Sequence, residues 1–450
     1  MADTYFSLVI WTDNTNMDYF KDCLESIDGQ DYREFELYIL DNNPSSTIEL
    51  TIKEFFPDIV DKVHYRRLKK KSGGAYAYNI GAHFAEGQYM VYIGQHDRLS
   101  TNTLSSLNEK IAQLNDVPSI LYTDNDELIG QDRMNPHFKP DFNKELFLQT
   151  NYIGEFVCIS KELYQRLGEF NEKAKVAYVY EYLLRACYKK ENIEHVHSLI
   201  YHKRSINRAF TKEERAEANY YCKEHMALAI SYIRKWGLLC LGRVDASLKK
   251  WHIQYDETEF RRFSGDYMFL KDDDVKLYTR NNVKRMYAYL RQPDVAVVGA
   301  RFIDRGFTID NVGYIFDKDG AWYPAFHGQR IFRDSYEGLG NMPRDVAMVD
   351  CGCCLIDAKV YRILHGFDTK LSGQDAMLDF CMRARERGYR TVVVPRVIAR
   401  RKNKDVITST EAHDYLMEKH GEKIALGDTF YNRNLPMGME NYILPGTEES

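Results

Sequence analysis

The sequence predicts an α/β protein built on open, mostly parallel sheets, duplicated, with an incomplete second copy. Three observations carry that prediction. From Phe6 onward, short apolar runs alternate with helix-spaced segments, the pattern of parallel strands joined by right-handed crossovers. Gly87–Leu99 (GQYMVYIGQHDRL) is written again as Gly265–Leu277 (GDYMFLKDDDVKL). The echo then persists: Leu99 to Val117 and Leu277 to Val295 both span 18 residues, Gly154–Phe170 matches Cys351–Phe367 at an offset of 197, and Glu181–Ala186 matches Asp379–Ala384 at 198.

In chain order, Phe6–Trp11 reads as a first strand opening into Thr12-Asp13-Asn14. Phe20, Cys23, Leu24 and Ile27 follow at helical spacing. Phe35–Leu40 is a second strand running into Asp41-Asn42-Asn43-Pro44-Ser45, which is turn chemistry. Val63–Leu68 is a third. After Lys69-Lys70-Lys71-Ser72-Gly73-Gly74 comes a helix over Ala75–Ala85, then the Gly87 strand and a helix carrying Leu104, Leu107, Ile111 and Leu114 on one face. Ser119–Tyr122 is a further strand. Arg204 to Arg262 reads as mostly helix, opened by the capping box Thr211-Lys212-Glu213-Glu214, with Leu238–Tyr255 extended. These signals divide the chain into a complete unit over 1–205, a helical connector over 206–256, a partial second unit over 257–405 and a tail over 406–450 with one helix at Glu411–His420. The second unit lacks the strands that precede Gly87 in the first.

Composition narrows the function classes. The 450 residues are 44% hydrophobic with only 11 Pro, as ordered globular chains are, and a net charge of −5 offers no broad nucleic-acid footprint. No run approaches the ~20 apolar residues of a membrane span, and Met1–Asp13 lacks the basic and apolar regions of a secretory signal. Nine Cys without framework spacing point to a reduced, cytoplasmic setting. Cys351, Cys353 and Cys354 read as a buried strand rather than a metal site.

The residues that could carry chemistry sit where strands end, the place open sheets hold ligands. Asp41 beside Thr12-Asp13-Asn14 could take donors of a nucleotide; the same residues also read as a plain turn. Gly73-Gly74 before a helix would let backbone N–H groups approach a diphosphate, although a lone Gly pair is weak. Asp97 could hold a hard divalent cation with diphosphate oxygens, with His96 assisting a softer one. Asp272-Asp273-Asp274 is richer in carboxylates, or is an acidic helix cap. Glu181 and Asp379 are the paired carboxylates of the repeat, each with an Arg four residues on. Either could be a general base, or a carboxylate favoured by a helix start. Asp375, one turn before Asp379, could share the role.

Taken together these pieces resemble the family 2 glycosyltransferases, nucleotide-diphospho-sugar enzymes of the GT-A fold, and in particular the tandem, two-unit type found with bacterial surface-polysaccharide genes. The resemblance rests on SLVIWTDN (Ser7–Asn14), ELYILDNNPS (Glu36–Ser45), GGAYAYNIGAHFAEGQY (Gly73–Tyr89), LYTDNDEL, HFKPDF, NYIG and YHKR (Tyr201–Arg204), in the family's order. It implies a nucleotide-diphospho-sugar donor held by Thr12, Asn14, Asp41, Gly74, Asn79 and His202. It also implies Mg²⁺ or Mn²⁺ at Asp97 and His96, with Asp272 and Asp274 the corresponding candidates in the second unit, and Glu181, Asp375 and Asp379 as catalytic carboxylates. The acceptor would be a glycan or glycolipid hydroxyl. Nucleic acid is not an expected partner, and the setting leaves room for association with the inner face of the membrane or with a partner transferase. The departures are specific. Only Asp97 survives where the family has two or three Asp, and Val179-Tyr180-Glu181 stands where the family has Asp-x-Asp. Two rivals follow: a degenerate nucleotide-sugar-binding or scaffold partner of another transferase, and a hydrolase or pyrophosphorylase, against which NYIG and HFKPDF argue.

Overall fold

The computed structural model describes residues 4–45, 47–69, 72–115, 117–205, 211–245, 250–258, 260, 265–332, 335–402 and 410–444. Lys70, Lys71, Arg262, Lys404 and the expected boundaries at 205/206 and 405/406 lie at or outside the edges of that set. The chain folds as two compact units. One is Met1–Phe142 with Asn151–Tyr232 and Val244–Lys250; the other is Asn143–Thr150 with Ile233–Arg243 and Trp251–Ser450.

The first unit begins β1 (Phe6–Thr12), α1 (Met17–Asp28), β2 (Phe35–Asp41), α2 (Ile48–Phe55), β3 (Val63–Arg67) and α3 (Gly74–Phe84). Next come β4 (Tyr89–Gly94), β5 (Arg98–Leu99), α4 (Thr103–Gln113), β6 (Ser119–Ile129) and β7 (Asp132–His137). After α5 (Lys144–Gln149), which belongs to the other unit, the chain returns as β8 (Val157–Ser160), α6 (Lys161–Leu167), α7 (Tyr178–Lys189), β9 (Asn192–Arg204) and most of α8 (Lys212–Lys235). Its sheet runs β3-β2-β1-β4-β8-β6-β9-β5, with β7 on β6. β3, β2, β1 and β4 are parallel, in register from Phe6↔Phe35 to Thr12↔Asp41. β1 and β2 are buried on both faces, which is why they read as unbroken apolar runs. Phe20, Cys23, Leu24 and Ile27 are fully buried against them, as their spacing predicts. Asn16 caps α1 through the N–H groups of Asp18 and Tyr19. The capping box of α8 forms, with Thr211 N donating to Glu214 Oε2 at 2.8 Å and Glu214 N to Thr211 Oγ1 at 3.2 Å.

β10 (Cys240–Asp245) and β11 (Lys250–Tyr255) pair as a ribbon, as the extended reading of Leu238–Tyr255 expected. The second unit continues with β12 (Tyr267–Lys271), β13 (Val275–Leu277), α9 (Asn282–Leu290), β14 (Val295–Ile303), β15 (Ile309–Asn311), β16 (Tyr314–Phe316) and β17 (Trp322–Pro324). It ends with β18 (Arg344–Asp345), β19 (Cys353–Asp357), α10 (Ala358–Ile363), α11 (Gly373–Glu386), β20 (Arg390–Arg401) and α12 (Thr410–Ile424). Its main sheet runs β12-β19-β14-β20-β13. Element for element this is the order β4-β8-β6-β9-β5, and the pairings agree in sense: antiparallel, antiparallel, parallel, antiparallel. The second sheet contains nothing matching β1, β2 and β3 among the described residues, so its pairing is mostly antiparallel.

Two differences from the linear division have a local cause. Asn143–Thr150 joins the second unit because its polar groups are satisfied there. Asn143 Nδ2 donates to the Asp345 carbonyl at 2.8 Å, Lys144 Nζ lies 2.8 Å from Asp294 Oδ2, and the buried Glu145 accepts from Gln292 Nε2 at 2.8 Å. Most of the expected connector, up to Tyr232, is instead part of the first unit. Cys353 and Cys354 lie buried in β19, and burial pushes the Cys353 thiol up to about 12, as a strand thiol rather than a metal ligand. No helix among the described residues is long and apolar enough to cross a membrane.

Candidate active site

The carboxyl ends of β1, β2 and β4 bring three loops side by side in the first unit. Asn42 ties two segments together: its Nδ2 reaches Asp13 Oδ1 at 3.2 Å and the Ser72 carbonyl at 3.3 Å, and its Oδ1 accepts from Ser72 N at 3.2 Å. Gln95 joins the β4 turn to the same place, accepting from Asp13 N at 3.2 Å and Thr15 Oγ1 at 2.7 Å and donating to the Asp13 carbonyl at 2.8 Å. Asn14 takes a left-handed φ of 47° at the turn and is exposed, a conformation Asn tolerates better than most residues.

Two buried donors at this junction, Trp11 Nε1 and Ser72 Oγ, have no hydrogen-bond partner among the described residues. Buried donors are rarely left unmade without a ligand or water. Gly74 is required for the close approach here. A Cβ would press into the Tyr178 hydroxyl, and would stand 2.8 Å from Tyr178 Cζ and 2.9 Å from Trp11 Cε3.

Asp97 lies just past β4. Tyr201 donates a short hydrogen bond to Oδ2, and Arg204 N donates to Oδ1 at 2.8 Å. Gly94 leaves room for that carboxylate, since a Cβ there would collide with it. The Arg204 guanidinium pins the turn through the His96 carbonyl at 3.3 Å, the Gly130 carbonyl at 2.6 Å and Asp22 Oδ2 at 2.8 Å, and lies over the Tyr19 ring. Each Asp97 oxygen keeps a lone pair, so a cation sharing it with diphosphate oxygens fits the chemistry. His96 fits less well. Burial lowers its pKa, and Nε2 accepts from Asn16 N at 3.0 Å, so the lone pair a metal would need is already engaged.

The structure gives several sequence-predicted residues other work. Asp41 is fully buried. Its Oδ1 accepts from Thr12 Oγ1 at 3.1 Å, Asn43 N at 3.0 Å and Asn43 Nδ2 at 2.8 Å, and its Oδ2 from Tyr65 at 2.6 Å. Asp41 and Thr12 therefore build the loop, while the exposed Asn14 lies at its open side and Asn42 ties it to Asp13 and Ser72. Asn79 spends its amide on Phe170 N and O at 2.8 and 3.0 Å and on the Tyr164 hydroxyl at 2.9 Å, a clamp rather than a ligand contact. His202 is held between Asp126 Oδ1 at 2.7 Å and Ser100 Oγ at 2.9 Å, with neither ring nitrogen left over.

Glu181 and Asp379 share one architecture. Glu181 accepts from Arg185 at 3.0 Å and the Tyr232 hydroxyl at 2.7 Å, and Arg185 also donates to the carbonyls of Leu167, the last residue of α6, and of Glu169 just after it. Asp379 accepts from Arg383 at 2.8 Å, and Arg383 likewise donates to the Leu364 and Gly366 carbonyls beyond α10. Asp379 is fully buried; burial alone would raise its pKa, but hydrogen bonds from His420, Arg383 and Lys419 override it and hold the carboxyl well below the usual range. Such a group is a poor general base. In both copies the carboxylate holds an arginine against the carbonyls at the end of the preceding helix. Asp375 differs: burial raises its pKa, and among the described residues Trp322 Nε1 donates to it at 3.2 Å.

In the second unit the acidic triplet is out of register with Asp97. Leu99 pairs with Tyr201 and Leu277 with Ala399, so the place two residues before each leucine is Asp97 in one sheet and Val275 in the other. Asp272 pairs with Arg401 at 3.3 Å, and Arg401 also meets the buried Asp350 at 2.8 Å. The Arg401 guanidinium thus supplies positive charge beside Asp272, one of the two carboxylates read as second-unit metal ligands.

Sequence reasoning passed over Glu155. It is exposed and accepts no hydrogen bond from a described residue. Desolvation raises its pKa, Lys203 pulls against that, and the nearby Asp97 charge raises it further. Only the position of NYIG just before it hinted at a role.

Residues 7–168 match the family model described as "Glycosyl transferase family 2". Over that stretch the sequence is similar to this family, and the matched residues end just past α6. The chain is 21% identical over 478 aligned positions to the uncharacterized protein y4gI of Sinorhizobium fredii, across 86% of this chain and 52% of the relative. It is 24% identical over 199 positions to the O-antigen biosynthesis protein RfbC of Myxococcus xanthus, across 44% of this chain and 16% of that protein. The chain thus spans about half the length of the first relative and about a sixth of the second. Among solved structures, S. aureus TarS 1-349 in complex with UDP-GlcNAc aligns at a TM-score of 0.41 and 19% identity, over 51% of this chain and 66% of that one.

Proposed function

We propose that the first unit transfers a sugar from a nucleotide diphosphate to a glycan or glycolipid hydroxyl, with inversion, in the synthesis of a bacterial surface polysaccharide or glycoconjugate. The observation that carries this reading is the junction of three loops at the strand ends, with Trp11 Nε1 and Ser72 Oγ buried beside Gly74 and without a partner among the described residues. Asn14, Asn42 and Ser72 would take the nucleotide's polar groups, and the α3 N-terminus its diphosphate. Asp97 would hold Mg²⁺ or Mn²⁺, which supplies compensation for charge on the departing diphosphate.

Glu155 is the proposed general base. Its carboxylate removes the acceptor hydroxyl's proton as the acceptor oxygen bonds to the anomeric carbon. The bond from that carbon to the diphosphate breaks, and the electron pair leaves with the diphosphate. A raised pKa brings a carboxylate closer to matching such a task. Tyr201 and Arg204 act through Asp97 and the β4 turn, as positioning residues.

The test is release of nucleoside diphosphate from labelled UDP-, dTDP- and GDP-sugars, by the wild type and by Asp97→Ala. Release from one nucleotide class, abolished in the variant, is the expected result; release from none removes the proposal. A second reading, a donor-binding partner that does not itself transfer, draws on one observation: both carboxylates of the repeat are spent on clamping. Binding of a donor without release under any acceptor mixture would favour it.

A further inference from the structure

Apart from the strand-end junction, the first unit holds a cluster of metal-ligating side chains that the proposed transfer does not use. Asp141 Oδ1 lies 3.0 Å from His197 Nε2 and 3.3 Å from His195 Nδ1, and the three ligand atoms all lie within 4.8 Å of one another. His195 comes from β9, two residues before His197, while Asp141 follows Pro140 on the far side of β7.

Three features point to an ion rather than a chance contact. His195 is 2% exposed, and its Nδ1, 3.3 Å from Asp141 Oδ1, makes no hydrogen bond to a described residue. Its other nitrogen is fixed by Asp124 Oδ1 at 2.9 Å, and its ring stacks on Tyr122 at 4.7 Å and 8°. A carboxylate behind the distal nitrogen is how metal-bound imidazoles are oriented and made more basic. Asp124 is held in turn by Lys139 N at 2.8 Å. Finally, ligand atoms about 2.0–2.1 Å from a tetrahedral zinc stand about 3.3 Å apart, close to the 3.0 and 3.3 Å from Asp141 to His197 and His195.

We infer that Asp141, His195 and His197 form a binding site for a borderline divalent transition metal, of which Zn²⁺ is the best fit, separate from any cation held by Asp97. Two imidazoles and one carboxylate suit zinc or cobalt over magnesium, which prefers an all-oxygen octahedron. Asp124 and Asp141 together offset the ion's two charges. Asp141 and His197 are the partly exposed members, at 33% and 17% of their side chains, so the ion enters from their side. Bound there, it ties β9 to the segment after β7. β9 also carries Tyr201 and Arg204, so the metal would stiffen the strand that positions Asp97.

The test uses the full chain purified without chelator. Metal content by mass spectrometry after dialysis, thermal unfolding with and without added Zn²⁺, and the visible absorption of the Co²⁺-substituted protein are measured on the wild type, His197→Ala, Asp141→Asn and Asp97→Ala. The inference predicts one zinc per chain, a zinc-dependent rise in Tm, and an intense tetrahedral Co²⁺ spectrum. All three are lost in His197→Ala and Asp141→Asn and kept in Asp97→Ala. His195 is left unchanged because replacing it would also break its buried pair with Asp124. Substoichiometric metal with no Tm response in the wild type overturns the inference. So does retention of the metal in His197→Ala, or its loss in Asp97→Ala. Should His197→Ala not fold, the Co²⁺ spectrum of the wild type and the behaviour of Asp141→Asn still decide the matter.

Discussion

Glu181 offers a sharp contrast between two roles, because a base and a clamp respond differently to the same substitution. Glu181→Ala removes a charge-assisted hydrogen bond to Arg185, worth about 1.5–3 kcal/mol, and leaves the Tyr232 hydroxyl without its acceptor, at about 1–3 kcal/mol. Tyr232 is 3% exposed, so water does not readily replace the lost partner. Arg185 keeps its two carbonyl contacts, which limits the sum to about 3–5 kcal/mol. For a unit of this size about 2–4 °C accompanies each kcal/mol, so Tm should fall on the order of 10 °C. Glu181→Gln keeps an acceptor oxygen and should lose about half of that. Both variants should retain turnover within a few-fold below their melting range. A general base would behave the other way, with turnover falling ~10²–10⁴-fold at nearly unchanged stability. Thermal unfolding by circular dichroism, paired with nucleoside diphosphate release at 20 °C below Tm, reads both quantities. A Glu181→Gln protein of wild-type Tm and hundredfold lower turnover would refute the clamp.

Three other outcomes follow from the same geometry. Glu155→Gln should cut turnover by ~10²–10⁴-fold while leaving donor affinity intact. The wild-type rate should rise with pH through a limb lying above the ordinary Glu value of about 4.3, because the base works deprotonated and its pKa is raised; stopped assays across pH 4–8 check both. Gly74→Ala should weaken donor binding at least tenfold and destabilise by about 1–3 kcal/mol, since Tyr178 is buried and cannot simply step aside. In the second unit, burial would raise Asp294, but Arg390 and Lys144 outweigh it and hold its carboxyl well below the usual range. Asp379 is held low in the same way. Groups with depressed folded values contribute stability above the unfolded value of about 3.9 and lose it as pH falls through the folded one. Denaturant midpoints should therefore hold from pH 7 to 5 and drop steeply below about pH 4, and Asp379→Asn should flatten that drop.

Much of the first unit was legible because local pattern and tertiary role coincide there. β1 and β2 read as apolar runs since both faces are covered, and Gly74 and Asp97 stand at strand and helix ends where sequence alone marks a turn. What escaped notice depends on partners far along the chain. Glu181 looks the same as a base or a clamp until Tyr232, 51 residues on, is seen to close over it. Asp41 and Asn79 carry the family's residue types, yet their hydrogen bonds go to Tyr65 and Phe170. The triplet Asp272-Asp273-Asp274 looked richer than Asp97, but sheet register puts Val275 at the matching place, and Arg401 supplies the positive charge. Glu155 has no periodicity to announce it; only the charges of Lys203 and Asp97, far along the chain, mark its place. Asn143–Thr150 reads as a linker in sequence and proves to be fastened by Asp345 and Asp294.

The account stands or falls on whether the strand-end junction of the first unit binds a nucleotide-diphospho-sugar. Isothermal titration of the wild type, Asn42→Ala and Asp97→Ala with UDP-, dTDP- and GDP-sugars, in Mn²⁺ and in chelator, measures it directly. The predicted result is one site per chain for one nucleotide class, weakened at least tenfold in Asn42→Ala and stripped of its metal dependence in Asp97→Ala. Binding that is absent for every donor, or unaffected by both substitutions, would contradict it.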